Sequence, residues 1–519
     1  MNERISRVLA AGLALSLGCV FAAPALAQDA PPEPPKVRQP RVKPKPTQPA
    51  PEQPVEDEDA VDPAKPADPS HPAKPAAPTA TAPVVQPPAP AGSPPKVTSP
   101  GPYIAREKPK DWTLTVNVTV RPETSQYTKP GAKDPSPDMR AFNFDTLAMV
   151  FPLPAETSSA RPDPFSLRGK LLINDRPAID SKNNPVAPVI LDKQISGELY
   201  HSGTQLMKFG LDQKTACREI GMEFAIEYRC WNTVFDEEAA MQVGWPTGEL
   251  PDVVKATMAP QMFIDYTKTR GDGGPVTAEF DKKVIAELVR SYTGGNSKGA
   301  KPVAAAKYIA GRIASEFQTS GVGLRFLNTG ELQGFDLQGV PQTVQSHRGS
   351  EFDINSVVVA AFRSAGLPAR LIIGYDLGGD DKQPQDFLAQ TNQRSAKLRC
   401  WTEFGLYDEA RRTLTWIPVD VVRMRKVSSR MGALDRPWKY FGTHEELSRV
   451  VPLAFGFHPP TTVESYGAPG MWGWLMTPQP PDTAYQTIKF RATSTTKTSA
   501  DTEKEKDAKK KKKEKDGKY

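Results

Sequence analysis

The stretch from Trp112 to Arg121 alternates without a break, with Trp112, Leu114, Val116, Val118 and Val120 on one side and Thr113, Thr115, Asn117, Thr119 and Arg121 on the other. A period of two predicts a strand with one face in a core and one in water. The same period runs through Phe224, Ile226, Tyr228 and Cys230, and weaker strand patterns lie at 142–151, 168–174 and 197–209. Clusters of Pro, Gly, Asp and Ser separate these runs, and no helical period precedes residue 250 or so. Residues 105–260 therefore predict an antiparallel β-sandwich.

Beyond Tyr266 the period changes. Val284, Leu288 and Tyr292 form one helical stripe, and Ala305, Ile309, Ile313 and Phe317 form another. Ser350, with Asp353 three positions on, is a capping signature ahead of the apolar run Val357–Phe362, so a helix is expected to begin at Glu351. Gly366 and Pro368 end it. Residues 369–376 then read as a buried strand, and 399–421 as a β-hairpin turning at 407–412. This mixture assigns residues 261–490 to an α+β domain with a C-terminal extension.

Composition removes the ends from the folded part. Residues 1–27 carry Arg4 and Arg7, an apolar run from Val8 to Phe21 and a closing Ala25-Leu26-Ala27, the layout of a signal peptide, so export is expected. Ser16 stands where a lipidated Cys19 would want a bulky aliphatic residue, which favours cleavage after Ala27. Residues 31–100 hold 23 of the 54 prolines and no aromatic residue, too little apolar surface to offset the entropy of ordering, so 28–104 reads as a disordered linker. Residues 491–519 form a tail whose last 19 positions hold nine lysines and six acids and can touch anionic surfaces.

Charge and cysteine usage exclude several classes. Of the formal +6, the tail contributes +3 and the leader +1, leaving +2, which argues against a nucleic-acid-binding core. After the leader there is no run of 18 apolar residues, so no transmembrane segment is expected in the processed chain. Cys217 and Cys230 could pair, leaving Cys400 free. Five scattered histidines and no Cys-x-x-Cys spacing argue against zinc. Asp376, Asp380 and Asp381 lack the spacing of a calcium loop. No cofactor is expected.

The second domain resembles the transglutaminase-like superfamily, whose core is similar to papain-type cysteine peptidases. The resemblance is carried by Gly349 and Asp353 of a Gly-x-Cys-x-Asp helix start, and by the run from Ala365 through Gly366, Leu367, Pro368 and Ala369 to Arg370. Gly374 and Tyr375, Trp401 and Glu403 of a His-Ala-Trp-x-Glu pattern, and Trp416 and Asp420 of a Trp-x-x-x-Asp pattern complete it. The segment 151–157 is similar to one found in β-rich amino-terminal domains of such proteins, and 438–442 resembles the stretch that often comes after their last aspartate.

The resemblance implies a Cys-His-Asp triad, yet the cysteine position holds Glu351 and the histidine position Arg399, leaving Asp420 alone. A carboxylate attacks amides poorly, and a guanidinium does not give up its proton near neutral pH. Glu351 and Arg399 are expected to form a structural ion pair. Cys400 alternates away from Arg399 and Trp401, and Ser350 spends its hydroxyl as a helix cap. An acid–base pair of Glu351 and Asp420 would be defeated if Arg399 held both ionised. The implied role is non-catalytic binding of an extended peptide, a protein or a cell-wall peptide, with Trp401, Tyr375 and His347 as candidates to line the cleft. An active acyl-transferase or peptidase with another nucleophile, and a purely structural envelope protein, are the alternatives.

Overall fold

The computed structural model describes residues 96–98, 100–122, 141–154, 156–191, 204–261, 263–265, 278–326, 331–378, 385–387, 398–457, 472–478 and 484–494. All lie in the compact unit Val84–Tyr519. The leader, most of the linker and most of the tail fall outside the described residues.

The clean alternation at 112–121 becomes the centre of strand β2 (Ile104–Pro122), with its five apolar residues buried. β2 lies between β8 (Ile220–Phe235) and β19 (Ala484–Ser494), so that Val118 faces Met222 on one side and Ile488 on the other. The full sheet runs β14-β19-β2-β8-β4-β5, with β4 at Ala160–Ile173, β5 at Arg176–Pro177 and β14 at Gln385–Phe387. A second sheet, β18-β3-β7-β6, comprises β18 (Gly473–Thr477), β3 (Phe142–Pro154), β7 (Thr204–Cys217) and β6 (Val189–Leu191). The Phe151 and Phe224 rings meet between the sheets with centroids 5.0 Å apart. Cys217 sits on β7 and Cys230 on β8, both buried and free, so the possible disulfide is not formed.

Three predicted boundaries differ from the observed elements. The sandwich is not complete within 105–260, because β14 joins it from within the α+β domain, between β13 and β15, and β18 and β19 return to it from the far side. The strand β19 runs to Ser494, past the expected tail start at 491. Within the expected linker, β1 (Lys96–Thr98) pairs parallel with Thr413–Thr415. Pro94 and Pro95, which have no N–H to donate, stand just before it.

The α+β part is a five-stranded sheet, β1-β16-β15-β13-β17, with β13 at Ala369–Asp376, β15 at Leu398–Asp408, β16 at Thr413–Val419 and β17 at Val450–Ala454. Two short pairs accompany it: β9 (Gln318–Thr319) with β12 (Arg348–Gly349), and β10 (Leu324–Phe326) with β11 (Leu332–Phe335). The helices are α1 (Glu237–Ala240), α2 (Asp252–Lys255), α3 (Ala278–Thr293), α4 (Pro302–Glu316), α5 (Val340–Ser346), α6 (Glu351–Ser364) and α7 (Val421–Val427). Helix α6 is buried from Phe352 to Arg363, with the apolar run Val357–Phe362 at its centre, as a helix surrounded on all sides requires.

The sandwich and the α+β part are joined by the family-type residues themselves. The Glu403 carboxylate accepts Arg370 Nε at 2.8 Å and Nη2 at 2.6 Å through one oxygen, and Ser158 N at 2.9 Å and Oγ at 2.6 Å through the other. The Arg370 guanidinium is held between the rings of Trp416 and Phe455, 4.1 and 4.2 Å from their centroids. Buried and fully partnered, this pair is a latch between lobes.

Candidate functional site

Helix α6 starts as expected. Ser350 Oγ accepts Asp353 N at 3.2 Å, and the Asp353 carboxylate returns to Ser350 N at 3.0 Å and takes its hydroxyl at 2.6 Å. The other Asp353 oxygen accepts Gln338 N at 3.0 Å, so the aspartate of the family-type helix start is wholly structural. Glu351 comes next, in the first helical turn, half-buried, with Oε1 accepting the backbone N–H of Cys400 at 2.7 Å.

Arg399 does not pair with Glu351. Its Nη2 and Nε reach Asp420 Oδ2 at 2.6 and 3.3 Å, and Nη1 reaches Glu446 Oε2 at 3.2 Å. The second oxygen of Asp420 accepts Arg423 N at 2.9 Å and so caps helix α7. Arg423 adds a contact to Glu446 at 3.0 Å, Asp376 stands 3.7 Å from Arg399, and the Tyr440 hydroxyl donates to Glu446 at 2.9 Å. The expected ion pair is thus replaced by a larger cluster, because Asp420 and Glu446 present oxygens to the guanidinium fork while Glu351 is engaged by a backbone amide.

His444 completes the cluster and had no signal in the sequence. Its Nε2 lies 2.7 Å from Arg399 Nη2. Arginine can only donate, so Nε2 serves as the acceptor in this contact, while Asp420 Oδ2 lies 3.5 Å from the same nitrogen. The backbone N–H of Glu446 donates to Nδ1 at 3.3 Å. Burial, with the Arg399 charge acting in the same direction, keeps the His444 pKa below its ordinary value.

The charges separate the two carboxyls. Burial and the neighbouring Asp420 charge push Glu351 from near 4.5 to about 7, against the Cys400 amide and Arg399. Asp420 is also buried, but Arg399 and His444 overcome the burial and hold it well below the carboxylate range. Arg399 therefore keeps Asp420 ionised without doing the same for Glu351, contrary to the expectation that both would stay charged.

Cys400 is buried in the main core, its Sγ 4.0 Å from the Glu351 carbonyl oxygen, and burial raises its thiol well above the ordinary range. Trp401 is buried among Ile372, Leu447, Val450 and Phe455, and Tyr375 is buried against the Phe490 ring. His347 is exposed, stacked on Phe317 with centroids 4.8 Å apart. These three are therefore not assembled around one open cleft. Of the three aspartates weighed for calcium, Asp376 joins the arginine cluster, and Asp380 and Asp381 lie outside the described residues.

Glu351 at the start of helix α6, Arg399 on β15 and Asp420 at the cap of helix α7 thus stand on three adjoining elements of the α+β part. Residues 287–421 match the family model described as the transglutaminase-like superfamily. Among solved structures the chain is similar to a candidate cysteine protease from Cytophaga hutchinsonii, at 12% identity and TM-score 0.39 over 76% of this chain and 93% of that one. It is also similar to a candidate protease from Parabacteroides distasonis, at 11% identity and TM-score 0.19 over 59% and 57%. At those scores neither constrains the chemistry. No curated protein matches the chain.

Proposed function

We infer that the chain acts as an exported transglutaminase-like domain protein without thiol-dependent acyl transfer, serving in envelope scaffolding or in binding a protein or cell-wall peptide. The observation that supports this is the guanidinium of Arg399, held by Asp420, Glu446 and His444 where the family pattern has its imidazole. Thiol acyl transfer needs a thiolate and a base that can lose a proton. Position 351 offers a carboxyl, and the nearby Cys400 thiol is buried with its proton firmly held. The burial of Arg399, Asp420 and His444 favours scaffolding over capture of a ligand at these positions. Export rests on the leader pattern.

Incubation with a glutamine-containing peptide and a primary amine should give no cross-linked product. A product that disappears in Cys400→Ala would overturn this reading. A second reading has one observation in its favour: Glu351 and Asp420 have proton affinities pushed apart in the manner of an acid and base pair. It requires that a hydrolysis be found and that Glu351→Gln abolish it.

A further inference from the structure

The end of helix α7 and the segment after it are exposed from Lys426 to Pro437. Of the eight large hydrophobic side chains exposed among the described residues, three fall in eight positions of this segment: Val427 at 60%, Met431 at 39% and Leu434 at 38%. Scattered singly such residues need no explanation, but a cluster does.

The cluster sits on a firmly held backbone. Lys307, buried on helix α4, donates to the carbonyl oxygens of Leu434 at 2.9 Å and Arg436 at 2.7 Å and is paired with Glu237. Its ammonium also lies 4.9 Å from the centroid of the Trp438 ring, and Trp438 Nε1 donates to Ala433 O at 2.9 Å. Gly311 on the same helix makes room beneath, since a Cβ there would come within 2.6 Å of the Trp438 ring and 2.9 Å of Met431. A cavity of about 200 Å³ lined by Gly311, Ala314, Met424, Val427, Met431 and Trp438 opens beside the exposed residues.

Cations interleave with these apolar positions: Lys426, Arg430, Arg436 and Lys439, against the single acid Asp435 between them. Lys439 pairs with Glu445 at 3.0 Å, whereas Lys426, Arg430 and Arg436 form no ion pair with a described carboxylate. Apolar anchors flanked by unpaired cations suit the boundary of an anionic bilayer, where the apolar tips enter the acyl region and the cations meet headgroups. A protein partner would have to supply carboxylates in a matching fixed array, while a leaflet offers phosphates at any spacing. We propose that the face formed by residues 426–439 docks on an anionic lipid bilayer.

The test uses the full chain and vesicles of phosphatidylglycerol and phosphatidylcholine in equal parts, with acyl chains brominated to quench tryptophan. Quenching should be strong, should be absent with phosphatidylcholine alone, and should fall away in Trp438→Phe. Each cation near such a surface contributes roughly a factor of five, so R430E/R436E should weaken binding by at least roughly thirtyfold. Val427→Asp with Leu434→Asp should lose the quenching while the melting temperature stays with the parent. The lysine-rich tail can hold the chain near vesicles by itself, but it would leave binding unchanged in both pairs of variants. That outcome would overturn the proposal, as would binding to polyglutamate without binding to vesicles, which would assign the face to an acidic protein.

Discussion

Glu351 and Arg399 stand on adjoining elements and yet answer to different partners, and their responses to substitution should differ accordingly. Arg399 is buried against Asp420 and Glu446. Arg399→Ala would leave Asp420 buried without its cation, so a loss of roughly 3–5 kcal/mol is expected in chemical denaturation; an unmoved midpoint would show that the cluster holds nothing. Glu351 works in the opposite sense. The folded chain keeps its proton up to about pH 7, whereas the unfolded chain releases it near 4.5. The contribution of Glu351 to folded stability is therefore highest below 4.5 and falls as pH rises through that window, by up to roughly 3 kcal/mol. Glu351→Gln keeps an acceptor for the Cys400 amide and removes the ionisation. It should match the parent at pH 4 and exceed it in stability at pH 8, and parallel curves for the two proteins would refute the assignment.

Between strands, the family-type residues Arg370 and Glu403 belong to a latch that ties β13 and β15 to the segment leading into β4. Glu403→Ala strands a buried guanidinium and releases Ser158, and roughly 3–5 kcal/mol should disappear from the unfolding free energy. Loss of cooperativity, with two transitions replacing one, would show that the sandwich had come loose from the α+β part. The elements themselves were legible wherever a local rule operated: the alternation of 112–121, the Ser350 and Asp353 box, the Gly366 stop. The α+β core was legible too, because the motif spacing is local. The pairing inside the cluster was not. His444 and Glu446 arrive from a loop with no periodicity, tied to β8 by the mutual bonds of Thr233 and His444 at 3.1 and 2.9 Å. A reading of spacing alone gives Arg399 the nearest acid in the motif and cannot see two partners that only the tertiary fold supplies.

Over the length of the chain, the sandwich is closed by strands that lie beyond the α+β domain. β18 pairs with β3 and β19 with β2; the alternation of Ile488, Phe490 and Ala492 with Lys489, Arg491 and Thr493 announces a strand there but not its distant partner. A chain ending at residue 471 would leave β2 and β3 with open edges carrying unpaired N–H and C=O groups. Such a truncation should sediment as aggregate, and a soluble monomer with the parent's β content would contradict the topology. The same pairing sets an order in time. Val118 leaves the ribosome long before Ile488, so the growing chain must carry a half-built sheet while the entire α+β domain is made and collapses. The part of the molecule that begins first is thus the part that finishes last in its synthesis, and the interval between is when a chaperone has something to hold.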